Sequence, residues 1–344
     1  MKTKDLYNQK NKAQLIDDLK NEDFERITLS FYKYIELKEL NKLRNNLFLE
    51  WNKMNILGRI YIAKEGINAQ LSIPESNIEL FKQSLNKIIF LKEMPFKFAI
   101  QEGISFLKLT IKIKKEIVAY KIPENEYDMS KIGKHLNYKE YNKAIENGAT
   151  IVDMRNYYEG EVGKFKGAII PDVDTSMELL PEVKKLLNGQ ENNKILLYCT
   201  GGIRCEKASS YLIHHGFKNV NQLNGGIIKY ANDIQKNKIK SKFIGKNFVF
   251  DHRLGERITD DIISNCHQCK NPSDHHTNCI NQACHILFIQ CNKCLNEYNN
   301  CCSKECADFI KLPQEKQSKL FKNKKVEFTA QKSKRIKPKL HELT

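Results

Sequence analysis

The run Ile195-Leu-Leu-Tyr-Cys-Thr-Gly-Gly-Ile-Arg-Cys-Glu-Lys-Ala-Ser209 decides the fold of the central part of the chain. Its first four residues are apolar and predict a short buried strand that ends at Tyr198. A six-residue loop, Cys199 to Arg204, follows, and a helix is predicted to begin near Cys205. The sequence therefore places a thiol at the carboxyl end of a strand and the amino end of a helix, where α/β sheets bind their ligands.

The loop is suited to hold a negatively charged sulfur. Its backbone N–H groups and the dipole of the following helix favour an anion at Cys199, and Arg204 adds a full positive charge. Glycines let the backbone curl around the sulfur without Cβ clashes. The loop residues between Cys199 and Arg204 are Thr200, Gly201, Gly202 and Ile203. We expect Cys199 to have a lowered pKa and to be a thiolate near neutral pH; a buried structural cysteine is the alternative.

Strands and helices alternate on both sides of this loop. Strands are predicted at Thr150–Asp153, Lys194–Tyr198 and Asn219–Leu223, and helices near Tyr138–Asn147, Leu179–Asn188 and Cys205–His215. This alternation predicts an α/β domain with a mostly parallel sheet. Asp153 and Cys199 then lie at the same edge of the sheet and share one pocket.

Three further residues near the loop are candidates for support of the site. Asp153 and Arg155 either pair to stabilise a turn or assist the chemistry. Cys205 either resolves a persulfide or sulfenate on Cys199 or packs beneath the loop. The sequence leaves both choices open.

The region before residue 120 predicts a second kind of domain. Five strands are predicted, at Arg26–Tyr34, Gly58–Ala63, Asn68–Ile73, Phe96–Ile100 and Phe106–Ile113. One helix carries Leu37, Leu40, Leu43, Leu47 and Trp51 at helical spacing, and another spans Ser76–Ile89. The order β-α-β-β-α-β predicts a ferredoxin-like domain.

Basic residues of this domain form a candidate RNA-binding surface. Arg59, Lys64, Asn68 and the strand Lys108–Lys115 are the residues concerned. The alternative is structural, because turns favour such polar residues and lysines on an edge strand prevent aggregation.

Nine cysteines lie between residues 266 and 306, and their spacing is typical of metal sites. Cys-x-x-Cys pairs supply two of the four ligands of tetrahedral Zn²⁺ from one short turn. We assign Cys266, Cys269, Cys291 and Cys294 to one ion, and Cys279, Cys284, Cys302 and Cys306 to a second. Four histidines, at positions 267, 275, 276 and 285, are possible substitutes. Structural zinc is the favoured interpretation, since a short polar stretch gains folding energy from metal; an iron–sulfur cluster and free thiols are the alternatives.

Composition favours a polyanionic partner. The chain has 344 residues, 41% of them hydrophobic, and a formal net charge of +16. Such basicity favours nucleic acid first and an acidic membrane surface second, and a lysine-biased proteome is the alternative explanation. No stretch approaches the ~20 apolar residues of a membrane span, and the amino terminus lacks the apolar segment of a signal peptide. We expect a cytoplasmic protein whose eleven cysteines are thiols or metal ligands rather than disulfides.

The central motifs resemble the rhodanese superfamily, whose loop cysteine carries sulfur as a persulfide. The resemblance rests on Cys199-x-x-x-x-Arg204, Ala149-Thr-Ile-Val-Asp-Met-Arg155, Phe165-Lys-Gly-Ala168 and Phe217-Lys-Asn-Val-Asn-Gln-Leu-Asn-Gly-Gly226. Cysteine-dependent phosphatases have one more residue between Cys and Arg. The shorter loop here suits a single sulfur or a small anion better than a phosphate.

Three blocks together are similar to the rhodanese-related tRNA uridine(34) hydroxylase family. They are Tyr198–Ser209, Gly58-Arg-Ile-Tyr-Ile-Ala-Lys-Glu-Gly-Ile-Asn-Ala69, and the cysteine-rich stretch that follows Phe250-Asp-His-Arg-Leu254. The resemblance implies that the ferredoxin-like domain is acylphosphatase-like. It also implies hydroxylation of wobble uridine to 5-hydroxyuridine, with the anticodon loop of tRNA as partner and molecular oxygen as co-substrate.

The resulting organisation is a leader (1–25), the ferredoxin-like domain (26–122), a linker (123–134), the rhodanese domain (135–245), a cysteine-rich module (246–310) and a flexible basic tail (311–344). The chain shows no nucleotide-cofactor motif. The first functional hypothesis is a tRNA hydroxylase, which needs an unidentified electron donor. A sulfurtransferase with an unidentified sulfur donor and a zinc-stabilised RNA-binding adaptor are the alternatives.

Overall fold

The computed structural model describes residues 10–323, 326–333 and 340. Helix α1 (Lys12–Lys20) lies in the predicted leader, whose first nine residues are outside the described part. The N-terminal domain follows with β1 (Arg26–Tyr34), α2 (Leu40–Lys53), β2 (Leu57–Ala63), β3 (Gly66–Pro74), α3 (Ile78–Asn86), β4 (Lys97–Phe98) and β5 (Leu109–Ile113).

The strand order of this sheet is β4-β1-β3-β2-β5. Its first four strands are antiparallel neighbours in the ferredoxin-like order, which confirms the predicted fold. The fifth strand, β5, adds to the edge parallel to β2.

The two faces of the N-terminal sheet have different roles. Along β1, Leu29 and Phe31 point into the apolar core together with Trp51 of α2. The alternate residues, among them Ser30 and Tyr32, line a cavity on the other face, because side chains alternate along a strand. This second face is therefore available to form a site with the rest of the chain.

The second domain contains the predicted parallel sheet. Its elements are β6 (Lys134–Leu136), α4 (Tyr138–Glu146), β7 (Thr150–Asp153), α5 (Tyr157–Glu161), β8 (Gly163–Phe165), α6 (Ser176–Leu186), β9 (Lys194–Tyr198), α7 (Ile203–His214), β10 (Asn219–Leu223) and α8 (Gly226–Lys236). The sheet order is β6-β10-β9-β7, and all three pairings are parallel. The strands predicted at β7, β9 and β10 have the bounds that the structure shows.

Two local expectations differ from the structure. Helix α7 begins at Ile203 rather than near Cys205, so Ile203 and Arg204 belong to its first turn. The chain also reaches the second domain before the predicted linker, because Val118 and Tyr120 are buried in that domain's core.

The C-terminal part packs against the second domain. Strands β11 (Phe243–Asn247) and β12 (Glu256–Arg257) extend β8 into a three-stranded sheet, and β13 (His276–Asn278) pairs with β14 (Leu287–Ile289). Helices α9 (Asn292–Glu297), α10 (Lys304–Ile310), α11 (Gln314–Lys322) and α12 (Thr329–Lys332) complete the described elements.

The described part of the basic tail is folded, whereas the sequence predicted a flexible segment. Phe328 is buried, and its ring centroid lies 4.8 Å from that of Phe309. Apolar residues spaced among the lysines explain the difference, because they pack on the cysteine-rich module. No helix among the described residues is long and apolar enough to cross a lipid bilayer.

Candidate active site

Gly202 sets the shape of the loop that holds Cys199. It precedes α7 with φ 96° and ψ −27°, in the left-handed region that glycine adopts without steric cost. Its N–H donates a hydrogen bond of 3.1 Å to Cys199 Sγ. Gly201 is less constrained, since a Cβ there would meet nothing within 4 Å. Of the two glycines that the sequence singled out, Gly202 is the one whose backbone conformation requires glycine.

The amino end of α8 supports the loop from behind. Ile227 N donates a hydrogen bond of 3.0 Å to the carbonyl of Cys199, and Ile228 N one of 3.1 Å to that of Thr200. A Cβ on Gly226 would lie 2.6 Å from the Cys199 carbonyl oxygen, so only glycine fits there. The Gly-Gly turn of the sequence is thus part of the site.

Cys199 is fully buried at the end of β9. Burial raises the pKa of its thiol, but the Cys205 thiol, the Arg204 guanidinium and the N–H groups of Arg204 and Gly202 outweigh burial and lower the pKa to about 6. Burial and the hydrogen bond between the two sulfurs raise the pKa of the Cys205 thiol. These opposite shifts favour the thiolate at Cys199 and the neutral thiol at Cys205.

Arg204 is held beside the sulfur by Glu159 of α5. Its Nη1 and Nη2 donate to the two carboxylate oxygens of Glu159 at 2.6 and 2.8 Å, and Nη2 also donates to Thr200 Oγ1 at 3.2 Å. Glu159 is fully buried, and the Asn156 N–H donates to it at 2.9 Å. A two-fold contact of this kind fixes the plane of the guanidinium.

Asp153 and Arg155 form a separate buried ion pair. Arg155 donates from Nε and Nη2 to Asp153 Oδ1 and Oδ2 at 2.8 and 2.7 Å, and Tyr198 Oη donates to Asp153 Oδ2 at 2.7 Å. Neither residue lines the cavity that contains Cys199, so the prediction that Asp153 and Cys199 share one pocket is wrong. The structure supports the structural interpretation of this pair over direct chemistry.

A second carboxylate connects the two domains behind the loop. Glu206 accepts a hydrogen bond of 2.8 Å from Tyr32 Oη, one of 3.0 Å from Gln222 Nε2, and lies 2.9 Å from His135 Nε2. Burial raises the pKa of Glu206, but these contacts outweigh it and lower the pKa. The hydrogen bond to Glu206 raises the pKa of His135. Tyr32 therefore ties the N-terminal sheet to α7.

Cys199 opens onto a cavity of about 340 Å³ between the domains. Its walls include Arg59, Tyr61 and Asn68 from the N-terminal sheet, Cys199, Thr200, Gly201, Ile203 and Arg204 from the loop, and Phe250, Asp251 and Arg253 from the stretch before the cysteines. Its size lies within the range of small-molecule sites, roughly 300–1,000 Å³. Three blocks far apart in the sequence thus meet at one cavity.

The predicted RNA-binding residues do not all lie together. Arg59 and Asn68 line the cavity of Cys199, and Arg59 also lines an adjoining groove with Lys12 and Lys108. Lys64 is exposed and lines neither. The turn interpretation therefore fits Lys64, whose carbonyl accepts a hydrogen bond from Leu37 N.

Several residues of the site were not identified from the sequence. Glu159 and Lys97 lie outside the motifs, and Glu206 lies in the Tyr198–Ser209 block but was given no role there. Tyr32 did carry a signal, because Thr28, Ser30 and Tyr32 are polar positions that alternate with apolar ones along β1.

The cysteines form the two groups of four that we assigned, although their spacing alone does not fix the grouping. The Sγ atoms of Cys266, Cys269, Cys291 and Cys294 lie within 4.8 Å of one another, as do those of Cys279, Cys284, Cys302 and Cys306. Sulfur–sulfur distances of 3.5, 3.7 and 3.8 Å occur within them. Tetrahedral Zn–S bonds of about 2.3 Å separate sulfurs by about 3.8 Å, so the donor sets fit zinc. Neither group includes a histidine.

Comparison with known proteins extends over nearly the whole chain. Residues 26–117 match the UPF0176 acylphosphatase like domain, residues 137–233 the rhodanese-like domain, and residues 244–307 the rhodanase C-terminal region. A tRNA uridine(34) hydroxylase of Leptospira interrogans is 49% identical over 99% of this chain and 94% of its own length. Proteins of the same name from Photorhabdus laumondii and Yersinia pestis are 44% and 45% identical over 91% of this chain and 90% and 89% of their own.

Proposed function

The chain belongs to the tRNA uridine(34) hydroxylase family, and we propose on this basis that it hydroxylates C5 of the wobble uridine of tRNA with Cys199 as its reactive thiolate. The observation that carries the proposal is the shared cavity. Two of the sequence blocks that resemble the family line it, together with Phe250, Asp251 and Arg253 from the segment before the third block, and Cys199 lies at its base. A purely structural cysteine would not need walls from three separate parts of the chain.

The residues of the site have distinct roles in this proposal. The Arg204 guanidinium and the Gly202 N–H stabilise negative charge on Cys199 Sγ. Glu159 keeps Arg204 in place. The cavity admits a single base, and a base of the single-stranded anticodon loop can leave its stack at small cost.

Positive charge beside the cavity supports tRNA as the partner. Lys12, Lys108 and Arg59 line the groove that adjoins the cavity. Positive charges near a cavity for one base suit the phosphates on either side of that base. Molecular oxygen is the co-substrate that the reaction requires, and an electron donor of unknown identity completes the reaction.

We propose that the two cysteine groups hold structural zinc. Thiolates at tetrahedral spacing fit this ion, and bound metal would supply folding energy to a module with a small apolar core. Neither cysteine group shares a residue with the cavity of Cys199, which fits a structural role for the metals.

Mass spectrometry of tRNA nucleosides tests the function. Cells that lack the gene should lose 5-hydroxyuridine derivatives and keep their thiolated nucleosides, and the wild-type gene should restore the former. A Cys199→Ser variant should fail to restore them. Restoration by that variant would remove the thiol from the mechanism.

Sulfur transfer is the second candidate, because a loop of this shape holds a persulfide equally well. Loss of thiolated nucleosides with 5-hydroxyuridine retained would favour it. An unchanged nucleoside pattern would favour an RNA-binding adaptor, a role for which a thiol with a lowered pKa has no evident use.

A further inference from the structure

Lys97 is a cation that the N-terminal domain contributes to the cavity of Cys199. It lies on β4, opposite Ser30 of β1, and both side chains line the cavity. Its Nζ lies 4.3 Å from the centre of the Tyr32 ring. The position of β4 is fixed from the other domain as well, since Asn232 of α8 donates a hydrogen bond of 2.9 Å to the Phe98 carbonyl.

The Lys97 ammonium contacts an aromatic ring rather than a carboxylate. Among the described residues no carboxylate lies within ion-pair distance of its ammonium, whereas Arg204 and Arg253 in the same cavity are both paired. Burial lowers the pKa of Lys97 to about 8, and the negative charges of Cys199 and Glu206 act against this. A partly buried ammonium without a carboxylate is costly, which is typical of a group that awaits a ligand.

The chemistry of uracil indicates which atom of the substrate Lys97 contacts. Hydroxylation at C5 requires that this carbon be electron-rich. When a thiolate adds to C6, a sulfur lone pair forms the C6–S bond and the C5=C6 π pair moves onto C5 and O4. The product is an enolate, and the step needs no oxidant or reductant. A cation beside O4 stabilises the charge that develops there.

We propose that Lys97 is a catalytic residue that donates a hydrogen bond to O4 of the target uracil while the Cys199 thiolate adds to C6. The inference rests on the proposed function and extends it to the first chemical step. Lys97 and Cys199 come from different domains, so the step takes place only where the two domains meet. Arg204 remains with the sulfur, because Glu159 holds it there.

Exchange of the C5 hydrogen for deuterium tests the addition of the thiolate to C6 separately from the oxidation. The enolate can take a deuteron from D₂O at C5, lose the original proton and expel the thiolate, which regenerates uracil with deuterium at C5. The full-length protein is incubated without oxygen with an anticodon stem-loop RNA, and the deuterium content of the wobble uridine is measured by mass spectrometry. We expect exchange with the wild type and none with Cys199→Ser.

Lys97→Met keeps the length of the side chain and removes its charge. We expect exchange to slow about 100-fold, the usual cost of one lost donor to a developing oxyanion. Lys97→Arg should recover part of the rate, and Lys92→Met, an exposed position outside the cavity, should not change it. Alkylation of Cys199 by iodoacetamide shows whether Lys97→Met keeps a folded site with its thiolate.

The outcomes separate this inference from the proposed function. Wild-type exchange rates in Lys97→Met, or a wild type that hydroxylates tRNA without any exchange, would overturn the inference and leave the function in place. Lysine-dependent exchange in a protein that never forms 5-hydroxyuridine would support the inference and overturn the function. If Lys97→Met loses its alkylatable thiolate, recovery of exchange in Lys97→Arg, which keeps the charge, supports the inference, and a failure to recover contradicts it.

Discussion

At the scale of single residues, the site depends on opposing effects at one sulfur. Burial alone would make Cys199 an unreactive thiol, and the positive charge and N–H groups around it reverse that outcome. The reversal needs Arg204 in one orientation, which the buried Glu159 provides. The reactivity of Cys199 is therefore a property of several residues rather than of the cysteine itself.

Arg204→Met should raise the pKa of Cys199, because it removes the cation that favours the thiolate. In the wild type the rate of alkylation by iodoacetamide should rise with pH through a midpoint of about 6. In the variant we expect the midpoint to lie at least about 1 pH unit higher, which is equivalent to roughly 1.4 kcal/mol of lost thiolate stabilisation. Arg26→Met, which removes an arginine outside the cavity, is the control. An unchanged midpoint in Arg204→Met would contradict the electrostatic account.

The two loop glycines should respond differently to alanine. Gly202→Ala forces a Cβ into the left-handed region, at a cost of about 1–2 kcal/mol, and 2.9 Å from Tyr32 Oη. We expect the hydrogen bond from the N–H of residue 202 to Cys199 Sγ to be disturbed, and the pH at the midpoint of alkylation to rise. Gly201→Ala meets no atom within 4 Å and should behave as wild type in the same titration. Equal effects of the two variants would show that φ at Gly202 is not the constraint.

At the scale of elements, α7 connects the domains. Its Lys207 is fully buried and donates to Glu65 of the β2–β3 turn at 2.6 Å and to Glu116 at 3.2 Å. Tyr34 Oη also donates to the Ile203 carbonyl at 3.3 Å, at the first turn of the same helix. The N-terminal domain thus holds the helix that presents Arg204 and shapes the cysteine loop.

Lys207→Met should destabilise the protein because it leaves two carboxylates without their cation. We expect the free energy of unfolding, measured by urea denaturation, to fall by roughly 3 kcal/mol. Lys229→Met removes a more exposed lysine that pairs with Asp233 within α8, and should cost about 0.5 kcal/mol or less. Similar losses in the two variants would argue against an interdomain role for Lys207.

At the scale of the whole molecule, the cysteine-rich module packs against an element of the active site. Its hairpin packs Leu287 and Ile289 against Tyr157 and Tyr158 of α5. His267 lies 2.9 Å, Nε2 to Oε1, from Glu161 at the end of the same helix. Because α5 also carries Glu159, the module stabilises the element that orients Arg204.

Cys294→Ser should remove one of the two zinc ions that we propose, since Cys294 belongs to the first cysteine group. We expect metal analysis to give two ions per chain for the wild type and one for the variant. Cys301→Ser is the matched control, because Cys301 is buried in the same module but belongs to neither group. Two ions in Cys294→Ser, or a loss of metal in Cys301→Ser, would contradict the assignment.

The sequence by itself determined the local structure and the reactive atom. The apolar run before Cys199 predicts β9, the alternation of strands and helices predicts the fold class of both domains, and the number and spacing of the cysteines predict ligands for two metal ions. These features depend on neighbours along the chain or on periodicity, which a sequence displays directly.

Only the tertiary structure decided what surrounds that atom. Tyr32 and Lys97 line the cavity, and Glu159 holds Arg204 beside it, from elements that are distant along the chain. No short-range pattern marks Lys97 or Glu159 as neighbours of the site, and the alternation along β1 does not show which domain Tyr32 faces. The described part of the lysine-rich tail similarly folds because a few of its apolar residues pack on the cysteine-rich module. Contacts of this kind follow from how sheets and helices pack in three dimensions, so they become visible only once the chain is folded.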